Sequence, residues 1–395
     1  MAVLKKISFV FLAFILIGGT FFAGFYIGNS FGLSQCKICP PEEIDFSLFW
    51  ETYHKIQDKF VNRDKIDKQQ IIYGAISGMV KALNDPYTVF FPPEDSKIFQ
   101  EDVKGSFEGV GMEIGIRDNQ LQVISPLEGT PAERAGIRAG DIIVAVNGTS
   151  TAGIALEKAV KWIRGPKGSE VTLTIMREGW KEAKEIKIVR DTISIPAVRW
   201  ELKENNIAYL KIYQFSGNAA FEFSKAAVEI LNSPAEKIII DLRNNPGGYL
   251  EVVQDIAGWF LKKDELVAIE DFGPNQEKTE YRSKGKGNFS NYPVVILINQ
   301  GSASASEILA GALRDNLGIK LIGERSFGKG SVQTLEQLRD GSSVKITVAK
   351  WLTPKGESIS EKGLEPDIKL EMTEQDYESG KDPQLDKAIE IIKGM

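Results

Sequence analysis

The sequence predicts a multi-domain α/β protein, and three observations lead there. Its 395 residues are 43% hydrophobic and 26% charged, a globular balance long enough for two or three domains with their own cores. From 205 to 370 short apolar runs alternate with amphipathic segments, the pattern of strands and helices in layers. From about 104 to 191 the pattern is short strands separated by glycine turns. The chain therefore divides into residues 1–42, 43–103, 104–191 and 192–395.

Residues 7–28, ISFVFLAFILIGGTFFAGFYIG, carry no charge; Lys5 and Lys6 precede them, and no acidic residue appears before Glu42. That length spans a bilayer core as a helix. The preceding lysines hold the amino terminus in the cytoplasm, which places the rest of the chain outside. A cleaved secretory signal is the competing reading, but the run is long for one and no A-x-A site follows it. The expectation is a single-pass anchor in the cell membrane with an extracytoplasmic body. Cys36 and Cys39 form one C-x-x-C pair in the linker before Pro40 and Pro41. One pair cannot build a four-cysteine zinc site, and a linker is the wrong setting for a redox motif, so a local disulfide or idle thiols is the favoured reading.

Within 43–103, FSLFWETYHKIQDKFV and QQIIYGAISGMVKALN have helical periodicity, and Asp85-Pro86 is expected to end the second helix. This segment reads as a small helical unit without chemistry. In 104–191 the strand-like runs are GVGMEIGI, LQVISPL, DIIVAVNG and VTLTIMREG, with helix-like TPAERAG and IALEKAVKWIRG between them. The stretch SPLEGTPAERAGIRAGDIIVAVNG (125–148) resembles the centre of a PDZ domain. PDZ domains take the free carboxyl terminus of a partner as an added strand. The resemblance implies that Val110, Gly111 and Met112, in FEGVGMEI, offer backbone N–H groups to that carboxylate.

In 192–395 IAYLKIYQF, KIIIDL, LVAIED, YPVVILIN, KLIGE, SVQTLEQL and SVKITVAKW read as strands. AAFEFSKAAVEILNS, YLEVVQDIAGWFLKK and SEILAGALRDNL read as helices, and the Gly/Ser/Lys-rich stretch 283–290 as a flexible loop. Three loops follow strands: DLRNNPGGYL (241–250), NQGSASASEI (299–308) and GERSFGKGSVQ (323–333). In open α/β sheets such loops gather ligands.

Composition limits the chemistry. There is one histidine, His54, in the amphipathic stretch LFWETYHKIQDKF. A Ser-His-Asp triad would have to use it, and a His-rich zinc site cannot be assembled. The net charge is −6 with no basic block interleaved with aromatics, so nucleic acid is not an expected partner. No metal and no cofactor are expected.

In the second loop a run of small residues enters a helix, and Ser304 sits where helix-start N–H groups favour developing negative charge. Ser304 followed by Glu307 is equally a capping box. In the third loop Gly323, Gly328, Lys329 and Gly330 nearly match a phosphate-binding loop, but the position after the lysine lacks a hydroxyl and the chain continues as a strand. Lys329 can instead act as a general base if burial lowers its pKa. Ser-Lys pairs are a known variant of triad chemistry. Gln333, four residues on, would share a strand face with Lys329 and could orient its amine.

Taken together, LNDPYTVFFPPED, the PDZ-like segment, DLRNNPGG, GSASASEILAGALRD, GERSFGKGSVQ and GLEPD resemble the carboxyl-terminal processing peptidases, or tail-specific proteases. The resemblance covers nearly the whole chain after the apolar run. It implies a crotonase- and Clp-protease-like α/β spiral core with an inserted PDZ domain, and a serine endopeptidase acting on proteins with accessible carboxyl termini. It makes Ser304 the nucleophile, Lys329 the base 25 positions later, and Gln333 its assistant. It draws the oxyanion hole from the N–H of Ala305 and a glycine of D-L-R-N-N-P-G-G, taken as Gly247 over Gly248. Arg164, in IRGPKG, is by position a candidate PDZ sensor of substrate arrival. A homo-oligomer is compatible with the resemblance.

Overall fold

The computed structural model describes residues 19–22, 24, 44–117, 120–127, 129–177 and 179–395. The apolar run 7–28 falls almost wholly outside them, and Lys5, Lys6, Cys36 and Cys39 entirely so. Among the described residues no helix is long and apolar enough to cross a membrane.

The chain forms two bodies, residues 1–72 and 73–395. The first carries helix α1 (Ser47–Lys59), where the periodicity predicts it, with His54 on it. Helix α2 (Lys68–Lys81) stops short of Asp85-Pro86. Beyond it the expected helical unit is broken by a strand, β1 (Val89–Phe91), and resumes as α3 (Pro93–Lys104). Pro93 occupies the first position of α3 and Gly105, at φ 74°, ends it, the usual division of labour between these two residue types. The strand owes its existence to a partner more than two hundred residues away, which no local pattern announces.

The PDZ-like region enters and leaves through β2 (Ser106–Gly109), whose antiparallel partner is β9 (Asp191–Ser194). Between them lie β3 (Met112–Arg117), β4 (Gln120–Pro126), α4 (Pro131–Arg134), β5 (Ile142–Val146), β6 (Thr149–Ser150), α5 (Leu156–Ile163), β7 (Glu170–Met176) and β8 (Lys184–Val189). The strand order is β3-β4-β5-β7-β8, so β3 is an edge. In β7 Val171, Leu173 and Ile175 are all fully buried, the two-residue period that turns one face to a core.

The remainder alternates strands and helices, most of them where the sequence predicts: β10 (Val198–Lys203), β11 (Ile207–Ile212), α6 (Ala219–Leu231), β12 (Lys237–Asp241), α7 (Leu250–Ala257), β13 (Leu266–Asp271), β14 (Thr279–Arg282), β15 (Val294–Ile298), α8 (Ala305–Leu317), β16 (Lys320–Gly323), β17 (Ser331–Gln337), β18 (Ser343–Leu352), β19 (Ile368–Lys369), α9 (Glu374–Ser379) and α10 (Pro383–Lys393). One sheet runs β10-β11-β12-β15-β16-β19 and is parallel from β11 onward. It is buried on both faces, as parallel sheets are. Ile238, Ile240, Val294 and Ile296 face the main core beside α6, α7 and α8; Ile239, Val295 and Leu297 face Ala388 and Ile392 of α10. A second sheet runs β1-β18-β13-β14, with β17 also paired to β18. Here β1 finds its partner: Val89 lies opposite Lys345 and Phe91 opposite Ser343.

The stretch 283–290 is not a free loop. Ser283 and Phe289 are 1% exposed. Gly287 N–H donates to Gly258 O at 3.1 Å and Phe289 N–H to Trp259 O at 2.7 Å, which explains why α7 ends at Ala257 rather than running to Lys263. A Cβ on Gly285 would lie 1.8 Å from Gly258 O. Glycine is needed there for backbone-on-backbone approach. Gly285→Ala should therefore destabilise the protein by about 1–3 kcal/mol or more, read as a lower urea midpoint at unchanged slope; an unchanged midpoint would mean that this contact is not tight.

Candidate active site

The three loops singled out in the sequence leave the carboxyl ends of β12, β15 and β16, which are neighbours in the sheet. Side chains staple them together. Asn244 N–H donates to Asn299 Oδ1, and Asn299 Nδ2 returns a bond to Asn244 Oδ1, both at 2.9 Å. Asn245, fully buried, accepts through its carbonyl from Ala303 N–H at 3.0 Å and from the Ser306 hydroxyl at 2.9 Å. Arg243 donates to Asp241 and, through Nη1 and Nη2, to Asp382 at 2.8 and 2.7 Å. Asp382 also caps α10 by accepting from Leu385 N–H. The first loop is thereby fixed to the helix on the far face of the sheet.

Of the three serines in the second loop, two are committed. The Ser302 hydroxyl donates to Leu242 O at 2.8 Å and Ser306 to Asn245 O, and both residues are fully buried. Ser304 alone opens onto a cavity of about 370 Å³, and among the described residues its hydroxyl proton has no acceptor. Its backbone stands at φ 55°, ψ −113°, a region costing a non-glycine residue about 1–3 kcal/mol and found where structure holds a reactive group outward. Ser304 and Glu307 do form the capping box that the spacing suggests. The cap and the strained backbone position are the same feature. Ala305, the first residue of α8, has no acceptor for its N–H among the described residues.

Lys329 is held by its neighbours' lack of side chains. A Cβ on Gly330 would lie 2.2 Å from Ser360 N, and one on Gly328 would lie 3.0 Å from Gly363 N. Burial pushes the Lys329 amine below the usual lysine value, and the Glu307 carboxylate opposes this. The Lys329 amine and the Ser304 hydroxyl form no hydrogen bond here; Lys329 Nζ lies 5.7 Å from the centre of the Tyr87 ring. The backbones are nonetheless joined, because one oxygen of Glu307 accepts from Ser304 N–H at 2.8 Å and from Lys329 N–H at 3.0 Å.

Two expected contacts are not formed in the structure. Gln333 lines the cavity with Ser304, but its amide donates to Ser331 Oγ at 2.5 Å rather than to Lys329. The strand starts only at Ser331, and a bulge between Val332 and Gln333 breaks the two-residue period on which the shared face rested. Gly247 does not offer its N–H to the cavity, because it donates to Asn245 Oδ1 at 2.9 Å. Gly248 lines the cavity instead. The bridge to Phe215 uses Gly247 O and Tyr249 N–H, which turns the Gly248 N–H to the other side.

The segment read as free of chemistry supplies part of this surround. Asp85 accepts from Tyr87 N–H at 3.0 Å and from the Thr88 hydroxyl at 2.6 Å, and Thr88 Oγ1 accepts from Thr347 N–H on β18 at 3.1 Å. This turn carries the Tyr87 ring to Lys329. Lys345, opposite Val89, lies over Phe91 and Phe99. Burial and then the Lys329 charge push it below the usual lysine value, against Asp85. The D-P-Y-T run was the available signal; its partner strand was not.

In the PDZ-like region a groove lies between edge strand β3 and helix α5, lined by Val110, Gly111, Met112, Ile114, Val160, Ile163 and Arg164. The N–H groups of Val110 and Gly111 have no backbone acceptor among the described residues. Gly111 stands at φ 77°, and a Cβ there would meet Thr130 at 2.4 Å. Arg164 stacks on Phe107 at 4.3 Å and pairs with Asp102 at 3.1 Å. Its buried Nη1 makes no hydrogen bond, with Glu101 Oε2 3.7 Å away.

Comparison with known proteins identifies three matched parts of the chain. Residues 206–370 match Peptidase family S41, 99–176 a PDZ domain, and 39–94 the activating protease CtpB N-terminal domain. The chain is 38% identical over 362 residues to the carboxy-terminal processing protease CtpA of Bacillus subtilis, covering 92% of this chain and 76% of that one. It is 39% identical over 344 residues to CtpB of the same organism, covering 86% and 70%. Among solved structures, a photosystem II D1 C-terminal processing protease superposes with a TM-score of 0.50 at 29% identity, covering 82% of this chain and 92% of that one. The chain belongs to the carboxy-terminal processing proteases, serine-type peptidases of family S41 that carry a PDZ domain.

Proposed function

We propose that this protease is anchored in the cell membrane with its body outside the cytoplasm, captures the free carboxyl terminus of a protein substrate in the β3–α5 groove, and cleaves upstream with a Ser304–Lys329 dyad. The observation that carries the dyad is the sorting of three neighbouring serines: two hydroxyls are spent on backbone carbonyls and one faces a cavity. Glu307 holds the lysine with the lowered pKa beside it.

The steps follow from the residues. Neutral Lys329 takes the Ser304 proton as the hydroxyl attacks the scissile carbonyl. The N–H groups of Ala305 and Gly248 receive the oxyanion. Lys329 then protonates the leaving amine, and water releases the acyl group. Before attack the lysine amine leaves Tyr87, and a partly exposed cation–π contact costs only about 0.5–1 kcal/mol to break. In the groove, the N–H groups of Val110, Gly111 and Met112 and the unsatisfied Nη1 of Arg164 are donors suited to a carboxylate. An arriving carboxylate competes with Asp102 for Arg164, which couples capture to the contact between α5 and α3.

Ser304→Ala and Lys329→Ala should each lower kcat by several orders of magnitude. In the wild type kcat should rise with pH through the lowered Lys329 pKa, since only the neutral amine accepts a proton. Full cleavage of a casein-like substrate by both variants would remove the assignment. Arg164→Ala should slow proteolysis mainly at low substrate; rates matching wild type there would rule out a sensing role. The anchor reading requires that the full chain stay with membranes through an alkaline wash and that its body be digested by protease added to intact cells. Release by the wash would contradict it.

A further inference from the structure

Glu307 does more than complete the capping box, because it touches both sides of the site. It is 1% exposed and lies in the first turn of α8. Its Oε1 accepts from the Ser326 hydroxyl at 2.6 Å and Gly328 N–H at 2.7 Å, and its Oε2 accepts from Ser304 N–H at 2.8 Å and Lys329 N–H at 3.0 Å. Four donors occupy the roughly four lone-pair sites of a carboxylate and leave none for a proton. The group is therefore held as an anion, although burial pushes its pKa above the usual value. Sharing one oxygen keeps the Ser304 and Lys329 amide nitrogens within about 6 Å of each other.

We propose that Glu307 is the positioning residue of the nucleophile–base pair, a buried anion that fixes the spacing of Ser304 and Lys329. The proposal rests on the Ser304–Lys329 reading. It has two separable parts, a geometric one from the four bonds and an electrostatic one from the charge. The groups facing Lys329 are Glu307 from α8, Tyr87 from the turn before β1, and Lys345 from β18 with Asp85 beyond it. Glu307 is the one whose charge pulls the amine toward protonation.

Two substitutions separate the parts. Glu307→Gln removes the charge and places an amide donor against amide donors. Glu307→Asp keeps the charge and shortens the reach by one methylene. Both are assayed in the full chain by kcat and KM against pH on a peptide with a free carboxyl terminus, beside Ser304→Ala, Lys329→Ala and a thermal melt. The expected result is a loss of about 100-fold in kcat for each, the scale of a 1 Å misplacement, with KM little changed. The midpoint of the pH rise should move down in Glu307→Gln and stay near wild type in Glu307→Asp. Wild-type kcat in either variant overturns the geometric part. A kcat loss in Glu307→Gln with an unmoved midpoint overturns the electrostatic part. If Glu307→Gln fails to fold by its melt, Glu307→Asp still decides the geometric part through kcat, and the electrostatic part is decided by Glu307→Gln activity recovered at low temperature, where an unmoved midpoint or none overturns it. Failure of the underlying dyad looks different: Ser304→Ala and Lys329→Ala would then remain active.

Discussion

The site depends on β12, β15 and β16 lying side by side and pointing the same way. Ile239 pairs with Val295 and Ile296 with Leu321 in the same parallel sense, so three segments far apart in sequence release their loops at one edge of the sheet. Parallel strands demand helical crossovers and burial on both faces. Here α6, α7 and α8 cover one face and α10 the other. The loops leave this sheet as polar chain, and much of their shape comes from bonding to one another. Asn244 with Asn299, Asn245 with Ala303 and Ser306, and Glu307 with the lysine loop are those bonds.

Several of these groups are charges held out of water, which is costly unless hydrogen bonds compensate. Desolvating an ion costs several kcal/mol. Hydrogen bonds to a charged group return about 1.5–3 kcal/mol each, so the four on Glu307 offset the cost and leave a rigid anion. The buried Asp241 solves the same problem with Arg243 and the Tyr209 hydroxyl, which donates to it at 2.6 Å. Burial and the nearby Asp241 raise the Tyr209 pKa, which keeps its proton in that bond. Rigidity of this kind lets Ser304 persist in its strained backbone conformation.

Helix α5 and the arginine that follows it reach α3 through ion pairs. Lys161 pairs with Asp95 and Arg164 with Asp102, each linking α5 to α3. Partly exposed pairs contribute about 0–1 kcal/mol each, so the contact is weak beside the sheet's own core. The same helix α3 follows β1, so the elements touching the PDZ groove continue directly into the strand that places Tyr87 and Lys345 around Lys329.

By itself the sequence determined most of the strand and helix segments, the three loops with their small residues, and the single histidine that limits histidine-based chemistry. Those follow from local periodicity, turn chemistry and spacing, which act over a few residues. Tertiary structure decided what depends on distant partners. The pairing of β1 with β18 turned the Asp85–Thr88 run from a helix end into part of the lysine's surround. The bulge at Val332 and Gln333 redirected the glutamine, and the Asn245 side chain took the N–H of Gly247 so that Gly248 faces the cavity. The contact of Gly285 with Gly258 anchored what composition presents as a flexible loop. Each of these is set by which backbone group finds an acceptor first, and that choice is made only when the chain is folded.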